Sequence, residues 1–249
     1  MTFSFPTISI RSTPRVLRLT ASAALLSVLA GCATGPNANP VDPLEPLNRG
    51  VYQFNDAIDR AVLVPVATAY TKVLPSPVRT GVNNFFSNLT EVWSFVNSVL
   101  QLRVQNSAET FMRFNVNTVF GLGGILDVAT DLGIDRHQED FGQTLGYWGV
   151  PSGPFVMLPL LGPSTLRDTA ALPVDVQGGL LAQINDVGAR NSLYALRIID
   201  ARSRYLRATS LIDDAALDKY SFTRDAYLQR RAAEVSNGGA GANKDGGDY

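Results

Sequence analysis

Apolar residues recur along this chain at the spacing of helices. Val51, Phe54, Ile58, Val62 and Pro65 step by three or four residues, with Gln53, Asp56, Asp59 and Arg60 between them. That period predicts an amphipathic helix with its polar side facing outward. The start is read at Asp42-Pro43-Leu44-Glu45, with Asp as cap, Pro at the first helical position and Glu at the third. Pro65 ends or kinks the helix. Ser76-Pro77 opens the next stretch, where Val78, Val82, Phe85, Leu89, Val92, Val96 and Val99 alternate four and three apart. Asn88-Leu89-Thr90-Glu91 is a second capping signature, so this stretch reads as one helix or as two. Asn106 and Glu109 repeat the signal before 111–120, where Asn106, Thr110, Arg113 and Asn117 form one polar stripe on an otherwise oily rod. Over 187–207, Arg190, Arg197, Arg204 and Arg207 line one side opposite Tyr194, Ile198, Ala201 and Tyr205. A last short helix is expected over 225–235. No strand alternation of useful length and no internal repeat appears, so the class is mainly α.

Two segments break this pattern. "FGLGGILDVATDLGI", residues 120–134, is nearly as apolar as a buried helix, yet Gly121, Gly123 and Gly124 fall within four positions and its only charges are Asp127 and Asp131. It is too short and too broken to span a membrane. Phe141–Leu166 carries no charge over 26 residues but holds five glycines and four prolines, so no regular helix runs through all of it. At membrane depth such backbone is tolerated only inside protein or along a water-filled cavity; in a soluble protein it is a buried loop.

The N-terminus changes the setting. Arg11, Arg15 and Arg18 precede an acid-free apolar stretch, 19–30, and then Leu29-Ala30-Gly31-Cys32. A basic region, a short apolar region and small residues at a cleavage point make a secretory signal, and L-A-G-C resembles the bacterial lipobox, in which the cysteine is acylated and becomes residue one. Cys32 is the only cysteine in the chain, so no disulfide forms within a monomer. The expected organisation is a signal peptide at 1–31, a lipidated tether at 32–41, one helical domain at 42–235 and a disordered glycine-rich tail at 236–249. The three leader arginines are among the 21 Lys+Arg of the full sequence; without them 18 face 22 Asp+Glu, a net charge of −4. That balance argues against nucleic acid and against simple electrostatic docking on anionic lipid. Hydrophobic residues make up 45% and charged residues 17%, oily for a soluble protein.

The chemistry on offer is sparse. The single histidine, His137, lies in a polar run and reads as a surface or capping residue. Asp127, Asp131 and Asp135 recur every four residues, which on a helix would place three carboxylates on one face; caps or a polar rim explain them without metal partners. Ser152 and Ser164 stand in Gly/Pro surroundings but not in G-x-S-x-G, and Gly121-x-Gly123-Gly124 lacks the spacing of a phosphate loop. No catalytic, metal or cofactor-binding residues are expected. Amphipathic helices, apolar Gly/Pro segments and a lipid anchor suit instead a protein that handles lipid, because moving a phospholipid through water exposes roughly 30 methylenes at ~0.8 kcal/mol each.

Four blocks, "DPLEPLNRGVYQFND" (42–56), "NTVFGLGGILDVA" (117–129), "EDFGQTLGYWGVPSGPFVMLPLLGPSTLRD" (139–168) and "RDAYLQRR" (224–231), resemble the MlaA (VacJ) family of Gram-negative outer-membrane lipoproteins. The likeness runs from Asp42 to about Val235. It implies an all-α, single ring-like domain of amphipathic helices held in the inner leaflet of the outer membrane around a central amphipathic channel. It implies passage of stray phospholipids from the outer leaflet to a periplasmic MlaC-like carrier, and binding to a trimeric porin. On this reading 120–134 is a hairpin bent at Gly121–Gly124. Leu122, Ile125 and Leu126 face acyl chains, and Asp127 and Asp131 sit near headgroups or water. The rivals are a lipoprotein lipase and a structural lipoprotein that braces a porin or the cell wall.

Overall fold

The computed structural model describes residues 39–237; the signal peptide, Cys32, most of the tether and the glycine-rich tail from 238 lie outside them. Helix α1 (Glu45–Ile58) runs into a π-helical turn (Asp59–Leu63) and then α2 (Val64–Val73). Pro65 stands in the first turn of α2, where its missing N–H is harmless, and the wider π turn ahead of it absorbs the misfit without ending the rod. The cap lies elsewhere than expected. Leu44 is the residue before α1 and makes no side-chain cap bond, while Asp42 is fully buried, accepting from Asn48 at 2.8 Å.

One continuous helix, α3 (Ser76–Leu100), turns through Gln101–Arg103 into α4 (Val104–Val119). Asn88 and Glu91 do not start a second helix; both are buried within α3. A one-turn helix α5 (Val128–Asp131) follows the 120–127 turn. Asp127 caps it, Asp131 is exposed on it and Asp135 lies beyond it, so the three carboxylates do not share a helix face.

The uncharged stretch from Phe141 is ordered in three pieces. Helix α6 (Phe141–Tyr147) begins with a full capping box, Asp140 accepting from the Gln143 N–H while Gln143 returns to the Asp140 N–H. Strands β1 (Phe155–Leu158) and β2 (Gly162–Thr165) then form an antiparallel hairpin, Phe155 opposite Thr165 and Leu158 opposite Gly162. The period-2 signal was too short to read because each strand has four residues. Helix α7 (Leu166–Gly178) starts at a Thr165 cap and leads through a 3₁₀ turn (Leu180–Gln183) to α8 (Val187–Arg204). The arginine-rich rod breaks at Tyr205, giving α9 (Leu206–Ala215), and the last helix, α10 (Lys219–Asn237), is longer than its apolar pattern suggested.

The packing is inverted relative to a water-soluble domain. The apolar core is small: Phe155, Met157 and Tyr220, with Val51, Tyr52, Tyr227 and Leu228 against them. The largest fully buried side chains include Arg113, Gln101, Asn48 and Asn97. Phe54, Val104, Phe111, Met112, Val119, Phe120, Leu122, Trp148 and Leu160 are exposed. Among the described residues no helix is long and apolar enough to cross a membrane.

Candidate functional site

Helices α3 and α4 lie side by side and turn their polar stripes toward each other. Asn88, Glu91, Ser94, Asn97 and Ser98 on α3 are buried, as are Thr110, Arg113 and Asn117 on α4. The polar stripe read on the oily rod is thus the inward face, and Phe111, Met112 and Val119 point out. Burying a guanidinium is tolerable only with close partners, and Arg113 has them. It meets Glu91 at 3.2 Å and Asp127 at 2.8 Å, and donates to the Ile134 carbonyl and to Thr130. Arg136 closes the square, 3.3 Å from Glu91 and 2.9 Å from Asp127. Burial pushes the Glu91 carboxyl above its ordinary value despite both arginines. At Asp127 burial acts in the same direction, but Thr130, Arg136, Arg113 and Asn117 together outweigh it and hold the carboxyl below its ordinary value.

This square anchors the 120–134 segment at its base. Asn117 donates to Asp127 and accepts from the Ala129 N–H, so Asp127 is held on several sides while part of its side chain stays exposed. The tip is left free: Phe120, Leu122, Ile125 and Leu126 are exposed. Leu122, Gly123 and Gly124 form three consecutive left-handed residues, at φ 55°, 73° and 92°. The glycines are not equivalent. A Cβ at Gly121 would fall 2.2 Å from the Leu126 carbonyl oxygen and one at Gly124 2.6 Å from Asn88, whereas Gly123 faces open space. Nothing in a leucine signals the left-handed backbone at Leu122.

His137 is buried, in contrast to the surface role expected, with its Nε2 on Glu109. Ser94 donates to the His137 backbone carbonyl at 2.6 Å and not to the ring, so the two do not form a nucleophile–base pair. Ser164 pairs with the Thr169 hydroxyl.

The other motif blocks meet at the hairpin and α10. Asn48 donates to the Phe155 carbonyl and accepts from the Met157 N–H, and Asn55 does the same for Leu158 and Leu160. Arg224 reaches Asp42 at 3.3 Å. Arg231 grips Asp140 at 2.6 Å and Asp168 at 2.9 Å, and Tyr227 donates to Asp168. Burial raises and this arginine lowers the Asp168 carboxyl, which ends below its ordinary value. A small hollow beside them is lined by Leu158, Leu161, Leu172, Asp175 and Arg230.

Charges locked inside and apolar faces turned out define a class: a helical domain built to be surrounded by something other than water. The chain belongs to the MlaA lipoprotein family, whose model matches residues 40–234. It is 36% identical to the intermembrane phospholipid transport system lipoprotein MlaA of Shigella flexneri, over 90% of each chain. To the proteins of the same name from Escherichia coli K12 and Haemophilus influenzae it is 36% and 35% identical, over 90% and 86% of this chain and 90% of each relative. It also resembles a solved structure described as the structural basis for maintenance of bacterial outer membrane lipid asymmetry, with a TM-score of 0.69 and 35% identity over 78% of this chain and 98% of that one.

Proposed function

We propose that this protein is an outer-membrane lipoprotein that removes mislocalised phospholipids from the outer leaflet and passes them to a periplasmic MlaC-like carrier. The observation that carries this reading is the inverted burial. A helix pair with Arg113 fully enclosed and Phe111, Val119 and Phe120 outward suits helices lying within one leaflet, where acyl chains cover the apolar faces and the polar stripes are satisfied against each other. The names of its relatives supply the cargo class. The exposed tip, Leu122, Ile125 and Leu126 with Gly121, Gly123 and Gly124, borders the lipid path; Asp127 anchors it from within, and the exposed Asp131 lies at its rim. Cys32 carries the acyl anchor, and a trimeric porin is the neighbour in the membrane. The protein moves phospholipid and does not hydrolyse it.

The test is outer-leaflet phospholipid in a deletion strain, measured with a membrane-impermeant amine reagent against phosphatidylethanolamine. Surface labelling should rise on deletion and return with the wild-type chain. Unchanged labelling with a weakened porin or envelope would instead identify a structural brace.

A further inference from the structure

Among the described residues, the non-glycine positions with left-handed backbone are all leucines: Leu102, Leu122 and Leu160, at φ 58°, 55° and 64°. A leucine is disfavoured there because its Cβ crowds the following carbonyl; glycine, or else Asn or Asp, is the usual occupant. Each of the three stands at the tip of a turn, with 69%, 70% and 69% of its surface exposed. Two of the tips are the same device. The Arg103 N–H returns to the Ser98 carbonyl and the Gly123 N–H to the Thr118 carbonyl, each at 3.0 Å. Leu102 and Leu122 thus occupy the left-handed position that closes a helix, where glycine ordinarily stands. Leu160 is the middle residue of Pro159-Leu160-Leu161, which joins β1 to β2, and its N–H donates to Asn55 at 2.8 Å.

A side chain this exposed packs on little of the protein, and glycine would close each turn with less strain. The leucines are explained by what they meet outside, and each tip has an apolar setting of its own. Beside Leu102, Trp148 donates its indole N–H to the Leu100 carbonyl at 3.1 Å and leaves its ring exposed. The one polar atom of that ring is satisfied inward, so the rest suits apolar surroundings. Beside Leu122 stand the exposed Phe120, Ile125 and Leu126. Beside Leu160 are the exposed Leu161 and Pro159, which with Leu47 and Phe54 of α1 lines an open apolar hollow. The tips are also far apart. Asn84 of α3 donates to the Ile125 carbonyl near one tip, and Leu100 of α3 meets Trp148 near another; along the helix Asn84 and Leu100 are roughly 24 Å apart. A protein partner would need a shape that reaches every tip, whereas acyl chains accept an isolated leucine anywhere along the leaflet.

We infer that Leu102, Leu122 and Leu160 are three separate insertion points, each a strained turn kept for an apolar side chain that enters the acyl-chain layer of the membrane. This rests on the in-leaflet reading above, and it extends the lipid contact from the 120–134 segment to two further turns, at the end of α3 and at the tip of the hairpin.

The experiment uses the full lipidated protein in nanodiscs of phosphatidylethanolamine and phosphatidylglycerol. A nitroxide is placed in turn at Leu102→Cys, Leu122→Cys and Leu160→Cys, with the parent chain as blank. Each label should meet dissolved oxygen several-fold more often than a water-soluble nickel chelate, as labels in an acyl layer do. A label at any of the three that is as open to the chelate as one in water overturns the inference, while the transport reading, tested separately by surface labelling of phosphatidylethanolamine, stands. Shielding that appears only when a trimeric porin is added overturns it in favour of a protein contact. Leu102→Gly and Leu160→Gly give a second measurement. Each relieves the left-handed backbone, so each should melt in detergent close to wild type or above it. A fall of about 10 °C or more would make the leucine part of the packing of the fold and overturn its role as an insertion point. If the cysteine variants fail to accumulate, a phosphatidylethanolamine with a photoreactive group on its acyl chain decides on the wild-type chain. Crosslinks in the peptides around 102, 122 and 160 support the inference, and crosslinks confined elsewhere overturn it.

Discussion

The guanidinium of Arg113, with none of its surface exposed, holds the Asp127 carboxylate at 2.8 Å, joining the middle of α4 to the cap of the one-turn helix α5. This contact ties the oily turn at 120–126 to the polar interior, and Glu91 on α3 shares the same guanidinium. Removing the arginine would leave the buried Glu91 and the part-exposed Asp127 to share Arg136 alone. Arg113→Met should therefore destabilise the fold by about 3–5 kcal/mol, and the double change Arg113→Met/Glu91→Gln should recover part of that loss. Denaturant titration in detergent checks both; an additive pair of losses would show that the two side chains do not share an energetic unit.

Asp127 also sets a pH dependence. Its folded carboxyl lies below the ordinary value, so its contribution is fully present above about pH 4 and is lost as pH falls through the folded value. Protection of the 120–134 amides, measured relative to the intrinsic exchange rate at each pH, should fall as the solution is acidified below that point. Asp127→Asn should show low protection already at neutral pH and little further loss. A wild-type profile whose protection stays constant through acidification would contradict this role for Asp127.

The three glycines of the turn should separate by position. Gly124→Ala must push against Asn88 and Gly121→Ala against the Leu126 carbonyl, so both should lower folded yield and thermal stability. Gly123 faces open space at φ 73°. Gly123→Asn, which tolerates left-handed backbone, should melt near wild type, whereas Gly123→Val should cost on the order of 1–3 kcal/mol. Comparing melting temperature with outer-leaflet phospholipid for Gly123→Val separates a bent tip that matters for transport from one that matters for folding alone.

Asn48 holds the start of α1 to the hairpin by serving both the Phe155 carbonyl and the Met157 N–H, with Asp42 as a third partner. Asn48→Leu leaves a buried backbone donor and acceptor unmet, at about 1–3 kcal/mol for each orphaned group. The first amides to lose protection from exchange should be those of β1. Uniform loss across the domain would instead mark the hairpin as part of one cooperative unit.

The helices were legible because the 3.6-residue period of Val78, Val82, Phe85 and Leu89 holds in any solvent. Which face lies inside was not, since period alone separates two faces without ranking them. The capping signature at Asn88 and Glu91 reads as a helix start, yet both are interior, and nothing in the stripe Thr110–Arg113–Asn117 tells which way it faces. Asp140-x-x-Gln143 was a readable capping box hidden in a run of charges. The Arg113–Asp127–Arg136–Glu91 square joins positions up to 45 residues apart (Glu91 to Arg136), beyond the reach of any local pattern. The resemblance blocks, by contrast, pointed to the segments that meet: 42–56 with 155–160, and 140–168 with 224–231.

An interior made of hydrogen bonds and ion pairs drifts differently from one made of methyl groups. An outward Val104 or Val119 can become Leu, Ile or Met at little cost, because no packed protein neighbour sets a shape for it to match. Asn48, Asn117, Arg113 and Asp168 each satisfy several partners at fixed angles, and no isostere replaces them. Over evolutionary time the apolar positions of this chain should therefore wander within their class while its amides and charges stay fixed, the reverse of the pattern by which cores and surfaces are usually told apart.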